Sequence, residues 1–445
     1  MSVPKTLFDH IGEETIDLNV GAPSVDLLPI RILQEAAVKA FEPEGWSIIQ
    51  YGPKRGDGEF LDALAAFLSR QYSDQIQSQN LCLTSGASQS LANLITFFAS
   101  PSTRTSRVFL QNPTYFLVFQ ILLDAGYTRS QLVAVPEDAD GLCVSHLEVI
   151  LSQLESEADS TEITPDGRFR HLIYCVPTFA NPSTTTLSSA RRRELVRVAR
   201  RYDVLVICDD VYDCLMYDEG VAVPRRVVAF DLEEDRLNDS AVREDGAERY
   251  RGKGGNVVSN GTFSKIIGPG LRCGWVEGRA ELIRRIEVSG VYVSGGSPSH
   301  LSSCLLLPLL HPSATNSLTP LDFHLSRTRS ILRHRLHAGL LTPIQDLLVP
   351  LGCTVWPAAP RGGYFVWVRL PEGVTSRALS DEAGRQGRVV NFGVGHKFAV
   401  PEEGAGEGEA DQFVRLCFAY YDEEKLREGV RRLATCLAQL QVTEV

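Results

Sequence analysis

The chain has 445 residues, 44% of them hydrophobic, 22% charged and 8% aromatic. That balance belongs to a globular protein long enough for two or three domains, and it excludes a collagen, a mini-protein and a disordered tail. With 44 lysines and arginines against 55 acids the net charge is −11, so neither nucleic acid nor an anionic membrane is an expected partner.

The amino terminus, MSVPKTLFDHIGEE, lacks the apolar run of a signal peptide, and no uncharged stretch is long enough to cross a bilayer; a cytoplasmic protein is expected. Phe60, Leu64, Phe67 and Leu68 recur at helical spacing, as do Leu91, Leu94, Ile95 and Phe98, which predicts two amphipathic helices. Apolar, β-branched runs at 108–110, 172–176, 204–208 and 256–259 read as strands, the last three as parallel strands covered on both faces. The alternation from about 50 to 300 therefore predicts a βαβ sheet whose ligands sit at the C-terminal ends of its strands. An acidic insertion at 218–249 and the run EEGAGEGEAD at 402–411 are expected to be solvated surface loops. After residue 300 come a basic helix pattern at 327–340, a Gly/Pro-punctuated region and a final helix from about Glu423, the outline of a smaller α+β domain. The ten cysteines are scattered without a CxxC pair and read as buried small hydrophobes.

The chemistry concentrates in SNGTFSKIIGPGLRCG, residues 259–274, where Lys265 follows a strand and Arg272 lies beyond a Gly-Pro-Gly turn. In VLVICDDVY an apolar strand delivers Asp209 to the ligand edge with Tyr212 close behind; a carboxylate there is costly unless a cation or donors meet it. Asp210 reads instead as the N-cap of a following helix. TSGASQ, residues 84–89, joins a strand to a helix with small residues that let backbone N–H groups approach an anion. Tyr115 follows Asn112-Pro113-Thr114 and offers an aromatic face, and Asn181-Pro182 offers an amide. His334 and His337 are three apart in a basic helix and read as a solvated face, not a metal site. Neither GxGxxG after a strand, a Walker lysine motif nor a GxSxG elbow is present.

Taken together, a phosphate cradle, a lysine, a strand-end carboxylate, an aromatic plate and an amide suit a phosphorylated pyridine aldehyde. The sequence resembles the fold-type I pyridoxal-phosphate enzymes, in particular class I/II aminotransferases of the aminoadipate/kynurenine type. The resemblance runs in order through LNVGAPSVDLLP, IQYGPKRG, LTSGASQSL, NPTYFLVFQ, PEDADGL, YCVPTFANPS, CDDVYDCL, GTFSKIIGPGLRCGW, PRGGYFVWVRLP and VRLCFAYYDEEKLREG. It implies an α/β fold: a large, helix-covered, mostly parallel sheet domain over 48–298 that binds pyridoxal 5′-phosphate. A smaller α+β domain would come from both chain ends, with 1–47 as N-terminal arm and part of it and 299–445 as the rest. By the same resemblance Lys265 would bond the cofactor as an aldimine and move the proton through a quinonoid stage. Asp209 would pair with the pyridine nitrogen, Tyr212 and Asn181 would hydrogen-bond the phenolic oxygen, and Tyr115 would stack on the ring. Ala87, Ser88 and Gln89, closed by Thr262, Ser264 and Arg272, would hold the phosphate. Tyr51 would reach the phosphate of a neighbouring subunit, which makes a homodimer the expected assembly. Arg415 would clamp the substrate α-carboxylate, with Asn181 alongside and Gly21 in the arm passing over the substrate.

The implied reaction moves an amino group from an L-amino acid to a 2-oxo acid, 2-oxoglutarate being the expected acceptor. The alternative is β/γ-elimination or replacement in specialised metabolism on the same scaffold. The effector domain of a transcription regulator is disfavoured, because family-like sequence begins near Asp17 and leaves no room for a winged helix. Three departures stand out. Asn181-Pro182-Ser183-Thr184 replaces the family's Asn-Pro-Thr-Gly, so a positive φ at position 184 would strain Thr184. Val394-Gly395-His396-Lys397-Phe398 replaces a Pro-Gly before phenylalanine on the substrate side, and the segment between Tyr217 and Asn256 is long. Since Arg415 reads only the α-carboxylate, the side chain of the substrate stays open.

Overall fold

The computed structural model describes residues 6–9, 11–12, 14–42, 45–156, 167–218, 220–233, 255–312, 317–358, 360–385, 390–401 and 408–443. After the short β1 (Ile16–Asp17), the apolar runs form β2 (Leu81–Thr84), β3 (Arg107–Asn112), β4 (Leu132–Asp138), β5 (Gly141–Leu142), β6 (His171–Cys175), β7 (Val204–Asp209), β8 (Val257–Thr262) and β9 (Gly274–Glu277). Strands β2 to β9 make one eight-stranded sheet in the order β2-β9-β8-β7-β6-β3-β4-β5. The four anticipated strands are β3, β6, β7 and β8, and with β4 they run parallel. Strand β9 lies antiparallel to both β2 and β8, and β5 antiparallel to β4. Every residue of β6, β7 and β8 is buried, as expected where helices cover both faces.

Both anticipated helices form. Gly58–Tyr72 starts at Asp57, whose side chain accepts from the Phe60 N–H at 2.9 Å, and it buries Phe60, Leu64, Phe67 and Leu68. Ala87–Phe98 buries Leu91, Leu94, Ile95 and Phe98 against the sheet core.

The second layer is a four-stranded antiparallel sheet, ordered β10 (Thr354–Val355), β11 (Phe365–Arg369), β14 (Phe413–Cys417), β13 (Gly393–Val394). The helices Ser376–Arg385 and Glu423–Thr443 accompany it, and β1 pairs in parallel with β12 (Val390–Asn391). The amino-terminal end is thereby tied to the C-terminal layer, the arrangement expected of a smaller domain built from both ends.

Four expectations are corrected. The basic helix begins earlier, at Pro320, because Thr319 and Asp322 form a capping box, and it continues through a wider π turn at Arg335–Leu341. The 402–411 run is not solvated throughout: Asp411 is buried, bonded to the Ser376 hydroxyl and paired with Arg377 at 3.3 Å. Asp210 caps no helix; it is buried and accepts from the Ser259 hydroxyl of β8. Nor is the described part of the 218–249 insertion a solvated loop: Val223, Val227, Val228 and Phe230 are buried against the sheet, 227–233 is helical, and buried Arg226 pairs with Glu277 of β9. Residues 219, 234–249 and 402–407 lie outside the described residues. All ten cysteines are free, eight of them buried. Among the described residues no helix is long and apolar enough to cross a membrane.

Candidate active site

The C-terminal ends of β3, β6, β7 and β8 face the amino-terminal arm and β14, and the chemistry-bearing side chains converge in that cleft. Asp209 ends β7 opposite Asn260 of β8. Its Oδ2 accepts from the Tyr174 hydroxyl of β6 at 2.6 Å, while Oδ1 is buried with no hydrogen-bond partner among the described residues. Burial pushes the carboxyl up to about 6, opposed by the Tyr174 bond and by Lys265.

Lys265 closes a short 3₁₀ turn, Phe263–Lys265, that β8 feeds directly; Thr262 caps the turn by accepting from the Ser264 N–H at 3.1 Å. The Lys265 Nζ donates to the Gly21 carbonyl at 2.8 Å and faces the rings of Tyr364 and Tyr212 at 5.6 and 5.9 Å. Burial among those rings pushes the amine down to about 8; Arg415 and Arg272 act in the same direction, and Cys417 and Asp209 oppose it.

Below Lys265 lies a cup of donors. The first turn of Ala87–Phe98 is open to solvent at Ser88 and Gln89, so its free N–H groups point outward. Gly86 precedes it at φ +91, and a Cβ there would come within 3.0 Å of Arg272 Nη2, so backbone shape and the close guanidinium both call for glycine. Arg272, at φ +47, bonds the Pro269 carbonyl at 3.1 Å. The Thr262 and Ser264 hydroxyls lie 2.9 Å apart, and Asn260 Nδ2 fixes the helix start through the Ala87 carbonyl at 2.9 Å.

Tyr115 is half-buried after β3, and burial, with Asp209 adding to it, pushes its phenol up to about 12. Tyr212 is buried against Tyr364 and Phe365, with ring centres 5.6 and 6.0 Å apart, and burial holds its phenol well above the ordinary value.

Arg415 projects from the middle of β14. Its Nη2 donates to the carbonyl and Oδ1 of Asn19 at 2.9 and 2.7 Å, and its Nη1 to Asn181 Oδ1 at 2.7 Å. The guanidinium lies between the rings of Phe365 (4.0 Å) and Phe398 (4.7 Å), and its Nε is buried without a partner among the described residues. Burial lowers even this group, to about 10.

The fold thus gathers Gly21, Ala87, Ser88, Gln89, Tyr115, Asn181, Asp209, Tyr212, Thr262, Ser264, Lys265, Arg272 and Arg415 at one edge. Tyr51 is not among them: it stands 79% exposed, beside Gly295. Thr184 does take the left-handed conformation, at φ +65. Sequence reasoning missed Asn19, Tyr174 and Tyr364. Tyr174 had one signal, a lone hydroxyl in the strand HLIYC; Asn19 had the alternation of LNV, an amide facing away from its apolar neighbours.

A lysine on the turn after a parallel strand, facing a strand-end carboxylate across a helix N-terminal cup, defines a fold-type I pyridoxal-phosphate transferase. Residues 13–433 match the family described as Aminotransferase class I and II, and the chain belongs to that family. It is 30% identical over 441 residues to an uncharacterized Saccharomyces cerevisiae protein, covering 92% of this chain and 94% of that one. It is 28% identical to aromatic-amino-acid aminotransferase 1 of Thermococcus litoralis over 96% of this chain and 88% of the relative. Among solved structures, Pyrococcus horikoshii kynurenine aminotransferase in complex with PMP superposes with a TM-score of 0.74 at 26% identity, covering 96% and 91% of the two chains. The protein is an aminotransferase; its cofactor is pyridoxal 5′-phosphate, and its substrates are an amino acid and a 2-oxo acid.

Proposed function

We propose that Lys265 bonds the cofactor and carries the substrate α-proton, that Asp209 pairs with the pyridine nitrogen, and that Arg415 clamps the α-carboxylate. The observation that carries this reading is Asp209 Oδ1. A buried carboxylate oxygen without a donor is costly, and a protonated ring nitrogen is the donor it lacks. The other residues fit the same group. Backbone N–H groups of Ala87, Ser88 and Gln89, the hydroxyls of Thr262 and Ser264, and Arg272 suit a phosphate. Tyr212 and Asn181 would serve the phenolic oxygen, and Tyr115 the ring face.

Bound there, pyridoxal phosphate supplies a sink for the electron pair left at the substrate Cα. The protein's part is positional and acid–base. Its burial-lowered pKa lets Lys265 take and return a proton near neutral pH, with Gly21 as its resting acceptor. Arg415, rigid between two phenylalanines, keeps its Nε and one Nη1 hydrogen unspent among the described residues, donors that a carboxylate can accept. Phe116 flanks Phe398 at 5.4 Å, an apolar wall that favours a donor with an aromatic or other large apolar side chain.

A screen of L-amino acids against the purified enzyme, following conversion of bound cofactor to its amine form, tests the reaction. Aromatic donors should convert it fastest; release of a β- or γ-substituent with no amine form would establish elimination or replacement instead. Arg415→Lys should raise the donor KM about 100-fold while kcat falls less, because one of two charge-assisted bonds is lost. An unchanged KM would remove Arg415 from the clamp.

We infer a homodimer. Trp46, Ile49 and Tyr51 are 67%, 71% and 79% exposed within six residues, a surface more apolar than a monomer usually keeps. Covered by a second copy, Tyr51 could reach the partner's phosphate cup. Tyr51→Phe should weaken cofactor binding about tenfold, and sedimentation at rising dilution should give dimer and then monomer. A monomer at all concentrations would refute the assembly. Ten unpaired cysteines support a reducing, cytoplasmic setting.

A further inference from the structure

The loop that carries Asn181 closes without the glycine expected of it, and the chain supplies something in exchange. Phe179 and Thr184 both take left-handed backbone, at φ +52 and +65, and a β-branched residue in that region is strained. Two backbone bonds close the loop: Thr184 N–H to the Ala180 carbonyl at 2.7 Å and Ala180 N–H to the Thr185 carbonyl at 3.0 Å. Side chains then tie it to the sheet. The hydroxyls of Ser183 and Thr185 are 3.1 Å apart, and Thr185 donates to Glu137 Oε2 of β4 at 3.0 Å. Gln111 of β3 donates to the same oxygen at 2.6 Å, and its own Oε1 accepts from the Val176 N–H at 3.0 Å. The other carboxyl oxygen, Oε1, is shut off from solvent with no partner among the described residues. An acid kept inside at that cost calls for a reason, and none of the chemistry above uses Glu137.

We propose that Glu137 is a positioning residue for the substrate clamp: the ladder Gln111–Glu137–Thr185–Ser183 holds the left-handed loop at Thr184 so that Asn181 Oδ1 stays 2.7 Å from Arg415 Nη1. The proposal rests on the reading of Arg415 and Asn181 as the carboxylate clamp. Glu137 touches neither cofactor nor substrate; it acts through Asn181. The carboxyl holds for Thr184 a backbone shape that glycine would take at no steric cost.

The holoenzyme tests it. Glu137→Ala should raise the donor KM about tenfold with kcat within about threefold, and Thr185→Val, which removes the bond from the loop side, should do the same. Glu137→Gln should bring KM back to within about threefold of the parent, since an amide oxygen can replace Oε2 while the new NH₂ takes the place of the unpartnered Oε1. In the Glu137→Ala background, Thr184→Gly should recover most of the lost KM, because glycine needs no outside support there. Hydrogen exchange at the Ala180 and Thr184 amides should run about tenfold faster in the Ala and Val variants and return in the Gln variant. Should Glu137→Ala not fold, Thr185→Val and Glu137→Gln decide. An unchanged KM and unchanged exchange in Glu137→Ala and Thr185→Val overturns the ladder, as does a Thr184→Gly change that rescues nothing. If instead Arg415→Lys leaves KM unmoved, the clamp reading fails first and takes the ladder with it; a normal Arg415 response beside silent Glu137 variants sinks the ladder alone.

Discussion

Lys265→Ala should lower kcat by about 10⁴-fold or more while leaving the fold intact, because it removes both the group that bonds the cofactor and the group that moves the proton. The protein should also lose the visible absorbance of the lysine-bound cofactor, and its melting should change little, since among the described residues the Nζ makes one hydrogen bond, to the Gly21 carbonyl. Retained turnover would refute the role. The same amine gives a pH signature. At its ordinary value near 10.4 fewer than about one lysine in a thousand is neutral at pH 7; pushed down to about 8, about a tenth are. A lowered lysine is neutral above its folded pKa, so the reactive fraction rises with pH. Covalent capture of pyridoxal phosphate by cofactor-free protein should therefore speed roughly fifty-fold from pH 6 to pH 8, with ionisation of Asp209 through about 6 contributing at the lower end. Stopped-flow absorbance measures it, and a flat profile would mean that burial does not tune this amine.

The sheet was legible because parallel strands buried on both faces leave long β-branched runs, and Val204–Asp209 is such a run with a single acid at its end. Lys265 was legible for the same reason: it sits on the first turn after β8, and strand ends are where such sheets bind ligands. What the sequence hid are pairings made across the fold. Asn19 meets Arg415 from 396 positions away, and Tyr174 meets Asp209 only because β6 and β7 are neighbours. Asp411 misled because its local composition is that of a solvated run, whereas Ser376, Arg377 and His396 from two other segments enclose it. Asp210 misled because a helix was expected after β7, and the chain instead turns and points that carboxyl at Ser259. The strain at Thr184 was legible from the missing glycine; the carboxyl that answers it, Glu137, lies 47 positions upstream of that residue and carries no motif of its own.

Asp209→Asn should move activity and stability in opposite directions. In the holoenzyme kcat should fall about 10³-fold, since a neutral amide cannot hold a proton on the ring nitrogen and the electron sink weakens; cofactor affinity should drop at least about tenfold. In the cofactor-free protein the same change removes a buried charge with an unpartnered oxygen, while the amide oxygen can still accept from Tyr174. Melting should then rise by about 1–3 °C. The pH dependence follows from the raised carboxyl. Unfolded, it titrates near 3.9; folded, near about 6, so the folded state holds its proton more tightly and loses that advantage as pH climbs through about 6. The gain in melting of Asp209→Asn over the parent should therefore be full above about pH 6 and vanish towards about pH 4. Calorimetry of the two cofactor-free proteins across that range measures it. A variant less stable than its parent at neutral pH would mean that Asp209 is there for the fold, and its lone oxygen would need another explanation than the ring nitrogen.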